Sequence, residues 1–289
     1  MFAQQVINGL MAGSAYSLLG LGFTLIFGIL NVINIAHPEV FMVGAFLGWM
    51  LVTYANANLL VAIVGATIGA SIVGVLIERI AIRPVRSALV LSPFISTAGV
   101  SIFLQQGAAR VFSPEPQPYP PSMATVFHDV GGLQFSTMQV ISLAVGAALM
   151  IGLKLFVDRT WLGRAIRATA MDRETASLMG VNVNTVVALT LVIASALAAV
   201  AGVLVSVAYN STWAFMGITY GLKGMAVMVV GGVGSLEGAM AAGLILGVAE
   251  ALTVGYISSS YRDGIAFIIL TFILLLRPSG LFGQRERQR

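Results

Sequence analysis

Long apolar runs separated by short polar interruptions make up most of this chain. They cover about 6–30, 40–55, 59–77, 89–110, 138–157 and 184–209, then 221–234, 239–257 and 265–276. Most approach the ~20 residues that cross a bilayer. A backbone in lipid must satisfy its own hydrogen bonds, which leaves helices or a closed barrel. The runs are continuous rather than alternating with period two, so they predict helices. The expectation is an all-α polytopic membrane bundle of eight or nine segments, as one domain over 1–289. The doubtful segment is 221–234, since 14 residues reach only ~21 Å at 1.5 Å per residue.

Two interruptions sit between closely spaced runs. One, NVINIAHPEV at 31–40, carries Asn34, His37, Pro38 and Glu39; the other carries Gly231, Gly232, Gly234, Ser235 and Glu237. Non-helical backbone at membrane depth survives where it is buried or lines a wet cavity. These are therefore candidate pathway or helix-break positions, with ordinary interfacial turns as the alternative. A shift of 199 residues superposes Gly44 on Gly243 and Gly48 on Gly247, a weak sign of a repeated broken helix such as transporters use. Glu250 lies in the middle of an apolar run. A membrane-embedded carboxylate costs about 2.5–3.5 kcal/mol on insertion scales, so it faces either a pathway or a packing hydrogen bond from a Ser, Thr or backbone group.

The remaining interruptions are longer. Residues 113–137 begin SPEPQPYPP and read as a stiff, extended external loop. Residues 158–183 hold Arg159, Arg164, Arg167 and Arg173, then DRETASLMG. There Asp172 suits an N-cap, Glu174 the first helical turn and Gly180 the C′ position. These bracket a helix of about seven residues, ~10 Å long. So short a helix is marginal alone; it gains stability by packing against a partner or against its own loop.

Composition agrees with the pattern: 58% of residues are hydrophobic and 9% charged, against ~25% charged in an average soluble domain. The 32 glycines favour close helix packing. With no Cys, disulfides, iron–sulfur clusters and cysteine-ligated zinc are excluded, and His37 and His128 form no ligand cluster, so no metal or other cofactor is expected in this chain. No nucleophile elbow, zinc motif or phosphate loop is present, which argues against catalysis and against ATP binding here. The net charge of +4 reflects loop topology rather than nucleic acid. With 158–183 on the cytoplasmic side, that side gathers Arg79, Arg83, Arg86, Lys154, Arg159, Arg164, Arg167, Arg173, Arg277, Arg285, Arg287 and Arg289, against Arg110, Lys223 and Arg262 opposite. By the positive-inside rule the N-terminus is outside and, with nine crossings, the C-terminus inside. The first run is too long for a typical signal peptide and reads as an uncleaved span.

The segment ETASLMG, Glu174–Gly180, resembles the E-A-A-x-x-x-G coupling signature of ABC importer permeases, with Thr175 in place of the first Ala. Nearly the whole chain is similar to branched-chain amino-acid ABC permeases of the LivH type. The supporting segments are GILNVINIAHPEVFMVGAF, GRAIRATAMDRETASLMGVN, VGGVGSLEGA and LRPSGLFG. The resemblance implies an ABC importer permease fold in a bacterial inner membrane. The implied partners are a second, LivM-like permease subunit, two cytoplasmic ATP-binding subunits that hold the ATP, and a periplasmic substrate-binding protein. It assigns ATPase coupling to Arg164, Arg167, Glu174, Ala176 and Gly180, with Asp172 as the cap. It places His37, Glu39, Gly232, Gly234, Glu237 and Glu250 at pathway or helix-break positions, alongside Asn34 and Gly231. Pro38 departs from the family, which usually has Gly there, and puts a flexible hinge at that position in doubt. The competing reading is a stand-alone secondary transporter or channel working through Glu250.

Overall fold

The computed structural model describes residues 1–86, 91–120, 127–130 and 133–283. Parts of the external loop, the expected start of the fourth run at Leu89, and Arg285, Arg287 and Arg289 lie outside them. Among the described residues are eleven α-helices. They are α1 (Phe2–Leu30), α2 (His37–Ala55), α3 (Leu59–Ile77, continued by a π turn over Glu78–Ile82), α4 (Leu91–Phe112), α5 (Thr137–Arg159) and α6 (Trp161–Met171). The rest are α7 (Arg173–Leu178), α8 (Val183–Ala208), α9 (Met216–Gly231), α10 (Leu236–Tyr256) and α11 (Arg262–Leu276). The chain is thus a helical membrane bundle, and among the described residues seven helical stretches are long and apolar enough to cross a bilayer.

α1 and α8 stand at the centre. In α1, 89% of the apolar window is buried, against 6% in the last span, Ser259–Leu276. Small residues decide which helices touch. Gly9 and Gly13 of α1 lie against the backbone of Gly247, Val248, Gly243 and Leu244 of α10, so closely that a Cβ on either would collide. Gly44 and Gly48 of α2 meet Ala199 and Val203 of α8 in the same way. Close approach of this kind drives helix association where lipid supplies no hydrophobic force. The 199-residue shift superposes α2 on α10, and each of these helices puts a glycine stripe on a central helix.

The breaks are narrower than the sequence suggests. Only 31–36 is irregular before α2, so His37 and Glu39 are helical and Pro38 occupies an early position of the first turn. A proline loses no helical hydrogen bond there. Gly231 ends α9 and Glu237 belongs to the first turn of α10. α9 begins five residues before the expected run, yet its 16 residues reach only ~24 Å.

Among its described residues, the loop over 113–137 is not extended throughout. A two-stranded antiparallel hairpin, β1 (Phe127–Val130) and β2 (Leu133–Ser136), leads into α5. Ser136 and Gln139 cap that helix reciprocally. The proline-rich part is pinned to the bundle. Trp49 Nε1 donates to the Pro118 carbonyl at 3.0 Å, Tyr119 N donates to Asn210 Oδ1 at 3.0 Å, and Gln117 pairs with Thr212. Gln134 also bonds the Gln4 side chain, so the hairpin and the N-terminus share one end, opposite α6 and α7.

Candidate functional site

α6 and α7 form a platform at the end opposite the hairpin. α6 was not anticipated as a separate helix. Thr160 ends α5 and caps α6 with one hydroxyl, which donates to the Phe156 carbonyl at 2.7 Å and accepts from Gly163 N at 3.0 Å. Gly163, Ala165, Ile166 and Thr169 face the bundle. Arg164 is exposed. Arg167 turns back to the Val157 carbonyl and to Asp158, 3.5 Å away.

α7 has the predicted caps. Asp172 Oδ1 accepts from Glu174 N (2.8 Å) and Thr175 N (3.0 Å), and Oδ2 from the Thr175 hydroxyl (3.0 Å). Those donors, the Thr175 N–H foremost, hold the Asp172 carboxyl below its ordinary value of 3.8. At the other end Gly180 N bonds the Ser177 carbonyl and Val181 N the Ala176 carbonyl, with Gly180 at φ +84°. This is the Schellman closure that glycine permits without steric cost. Ala176 points inward, while Glu174, Leu178 and Met179 face outward, the last two more than 80% exposed. Arg173, counted in the sequence only as a topology signal, donates from Nε to the Ile29 carbonyl at 2.8 Å. That carbonyl belongs to the last turn of α1, whose acceptors lack intrahelical partners. Arg173 therefore joins α7 to the central helix.

The second constellation centres on Glu250, 1% exposed. Its partners are not the Ser, Thr or backbone groups expected. Lys223 Nζ of α9 lies 3.0 Å from Oε2, the Tyr16 hydroxyl donates to Oε1 at 3.0 Å, and Arg262 of α11 donates to Oε1 as well. Lys223 also contacts Asp263 at 2.8 Å, and Arg262 Nη2 reaches the Tyr209 hydroxyl at 2.8 Å. Lys223 and Arg262, counted from sequence only on the side opposite the basic face, are thus drawn into the bundle by Glu250. Two cations and two carboxylates make the cluster neutral, which is how ionised groups persist at membrane depth.

The other candidates are dispersed. Asn34 Oδ1 accepts from Ala36 N at 3.0 Å. His37 is buried beside Gly22, edge-on to Phe23 with ring centroids 4.9 Å apart. Glu39 Oε1 accepts from Ser101 Oγ (3.1 Å) and Gln105 Nε2 (2.7 Å) of α4. Gly231, Gly232 and Gly234 build the turn into α10, with Gly232 and Gly234 at positive φ. Leu281 N and Phe282 N fold back onto the Val230 and Gly231 carbonyls. Glu237 is on the surface near the platform, paired with Lys154 at 2.5 Å. The buried polar stripe Thr97, Ser101 and Gln105 was missed, although its four-residue spacing inside an apolar run was a readable signal.

An apolar helix bundle with a capped helical platform at one end defines a polytopic membrane protein of the ABC-permease type. The solved complex PsaBC from Streptococcus pneumoniae with Fab shares this fold, at a TM-score of 0.50 and 16% identity over 97% of this chain and 93% of that one. Residues 5–274 match the family described as branched-chain amino acid transport system / permease component, and the chain belongs to that family. It is 40% identical to the high-affinity branched-chain amino acid transport system permease protein LivH of Salmonella typhimurium, over 100% of this chain and 97% of that protein. It is 38% identical to BraD of Pseudomonas aeruginosa, a permease protein of the same description, over 100% and 98%. The Escherichia coli K12 protein YjfF, an inner membrane ABC transporter permease, is 29% identical over 77% of this chain and 66% of its own length.

Proposed function

We propose that this chain is the non-catalytic, membrane-spanning subunit of an ATP-driven importer of branched-chain or related amino acids in a bacterial inner membrane. It works with a second permease subunit, two cytoplasmic ATP-binding subunits and a periplasmic binding protein. α7 is the element on which an ATP-binding subunit pushes, and 1–289 acts as one transmembrane domain. The observation that carries this reading is the construction of α7: capped at both ends, tied to α1 through Arg173, and presenting Leu178 and Met179 outward. Six residues alone cannot sustain a helix in water, and an apolar tip on a rigid stub suits a groove in a partner.

Charge supports the orientation. The platform end carries Arg79, Arg83, Arg86, Lys154, Arg159, Arg164, Arg167, Arg173 and Arg277. Of the three basic residues assigned opposite, Lys223 and Arg262 are engaged by Glu250, leaving Arg110. This imbalance supports a cytoplasmic platform and an external N-terminus. A stand-alone carrier working through Glu250 is disfavoured, because both carboxylate oxygens already hold donors. The test is co-purification of the ATP-binding subunits with the Leu178→Glu variant. The proposal requires loss of the complex with the permease still folded; retention of full stoichiometry and coupled ATPase would overturn it.

A further inference from the structure

The Glu250 cluster does more than neutralise itself: it forms the end of a cavity of about 240 Å³ between α1, α5, α8 and α10. Every element lining it does so from the end that carries the N-terminus. The polar lining includes Gln5 and Asn8 from the start of α1, Gln139 and Ser142 from the start of α5, Tyr209, Glu250, and Arg262 from the start of α11. The apolar lining is Met11, Ala12, Leu204, Ala208 and Val254. Gln5 to Ala15 of α1 both line it, so it runs ~15 Å inward, about half the hydrocarbon thickness. The glycine contact of α1 with α10 forms one wall, since Gly247 lines the cavity while packing on Gly9 and Gly13.

We infer that this cavity is a binding site for a zwitterionic α-amino acid with an aliphatic side chain. The inference rests on the permease reading above and specifies where, inside this chain, the cargo is held on its way in. Size comes first: the cavity is about 240 Å³, a space for leucine or valine. Charge comes second. Lys223 and Arg262 balance Glu250 and Asp263, so a ligand with net charge would leave the site unbalanced, whereas a zwitterion would not. Donor inventory comes third. Arg262 uses Nε on Glu250 and Nη2 on Tyr209, which leaves Nη1 open among the described residues to receive a carboxylate. The Gln139 Oε1 atom is occupied by Ser136 N, so its amide nitrogen is the group free to donate beside Arg262. The Gln5 amide oxygen and Ser142 hydroxyl have no hydrogen-bond partner among the described residues and suit an ammonium group. The aliphatic chain lies along Ala12, Leu204 and Ala208.

The chain has no cysteine, so Ala12→Cys or Ala208→Cys puts a unique thiol in the cavity. The assembled transporter, with native partners in proteoliposomes, is treated from outside with a membrane-impermeant maleimide. At four times its half-saturating concentration leucine lowers the labelling rate about fivefold, the factor 1 + [L]/Kd. Isocaproate, which lacks the amine, and isoamylamine, which lacks the carboxylate, give no protection at equal concentration. Arg262→Gln abolishes protection by leucine, and Arg262→Lys retains part of it. A thiol that does not react, absence of protection by leucine, or equal protection by all three compounds would overturn the site. ATP-driven leucine uptake by the same vesicles is scored separately. Uptake without protection refutes this site and leaves the permease reading standing, whereas absent uptake refutes that reading.

Discussion

Replacing Lys223 by Met tests whether the buried ion cluster holds α9, α10 and α11 together. Lys223 is 5% exposed and sits 3.0 Å from Glu250 Oε2 and 2.8 Å from Asp263. At an effective dielectric near 20, the Glu250 contact alone is worth about 5 kcal/mol of Coulomb attraction, before desolvation is subtracted. Removing one partner of a buried pair costs ~3–5 kcal/mol, because a charge is left uncompensated. Here Arg262 and Tyr16 still reach Glu250, so the loss falls at the low end, about 3 kcal/mol or more than a hundredfold in the unfolding equilibrium. Glu250→Gln removes the carboxylate but leaves Lys223 on Asp263, and destabilises by a similar or smaller amount. The double variant carries neither buried charge and is destabilised by at least about 1 kcal/mol less than the sum of the singles, a coupling typical of residues in one network. The assay is equilibrium unfolding in mixed micelles with all four proteins in parallel. Single variants within about 0.5 kcal/mol of the parent, or strict additivity in the double, would refute the reasoning.

Three further expectations follow from the same geometry. Gly13→Val drives a side chain into the Gly243–Leu244 backbone and destabilises by about 3 kcal/mol in the same unfolding assay, whereas Gly152→Val, with nothing within 4 Å, is neutral. Gly180→Ala forces a side chain onto φ +84° and costs about 1 kcal/mol locally, read as faster amide exchange across 173–181. The Asp172 carboxyl is held below its ordinary value of 3.8 by the Thr175 and Glu174 donors. A depressed carboxylate contributes fully above its unfolded value and is lost as pH falls through the folded one. Helicity of 173–178 is therefore constant from neutral pH down to the ordinary carboxylate range and declines only below it, followed by the Glu174 and Thr175 amide shifts; a loss beginning near neutrality contradicts this assignment.

How much of this was legible differs by element. The long helices were, because membrane-crossing length and continuous apolarity leave the backbone no alternative. So were both ends of α7, since Asp172 and Gly180 act on their own neighbours in sequence. Gly44 and Gly243, which the 199-residue shift superposes, each press a helix onto a central one. What depends on distant partners was not legible. Lys223 and Glu250 lie 27 residues apart on separate helices, and nothing local distinguishes a loop lysine from a buried one. Arg173 looked like one more positive charge, because its acceptor is a carbonyl 144 residues away. The α6 helix was hidden by brevity, since its small inward residues Gly163, Ala165 and Thr169 carry little hydropathy. The hairpin at 127–136 was masked by the prolines before it, whose stiffness was extended too far along the loop.

The central claim is that this chain conducts cargo only when an ATP-binding subunit engages α7. Amino-acid uptake into proteoliposomes therefore decides it, using the chain with its second permease subunit and binding protein, with and without the ATP-binding subunits. The account predicts branched-chain amino-acid accumulation that requires ATP and the ATP-binding subunits, and that Leu178→Glu eliminates. Accumulation by the membrane subunits alone, or uptake undiminished by Leu178→Glu, would contradict it.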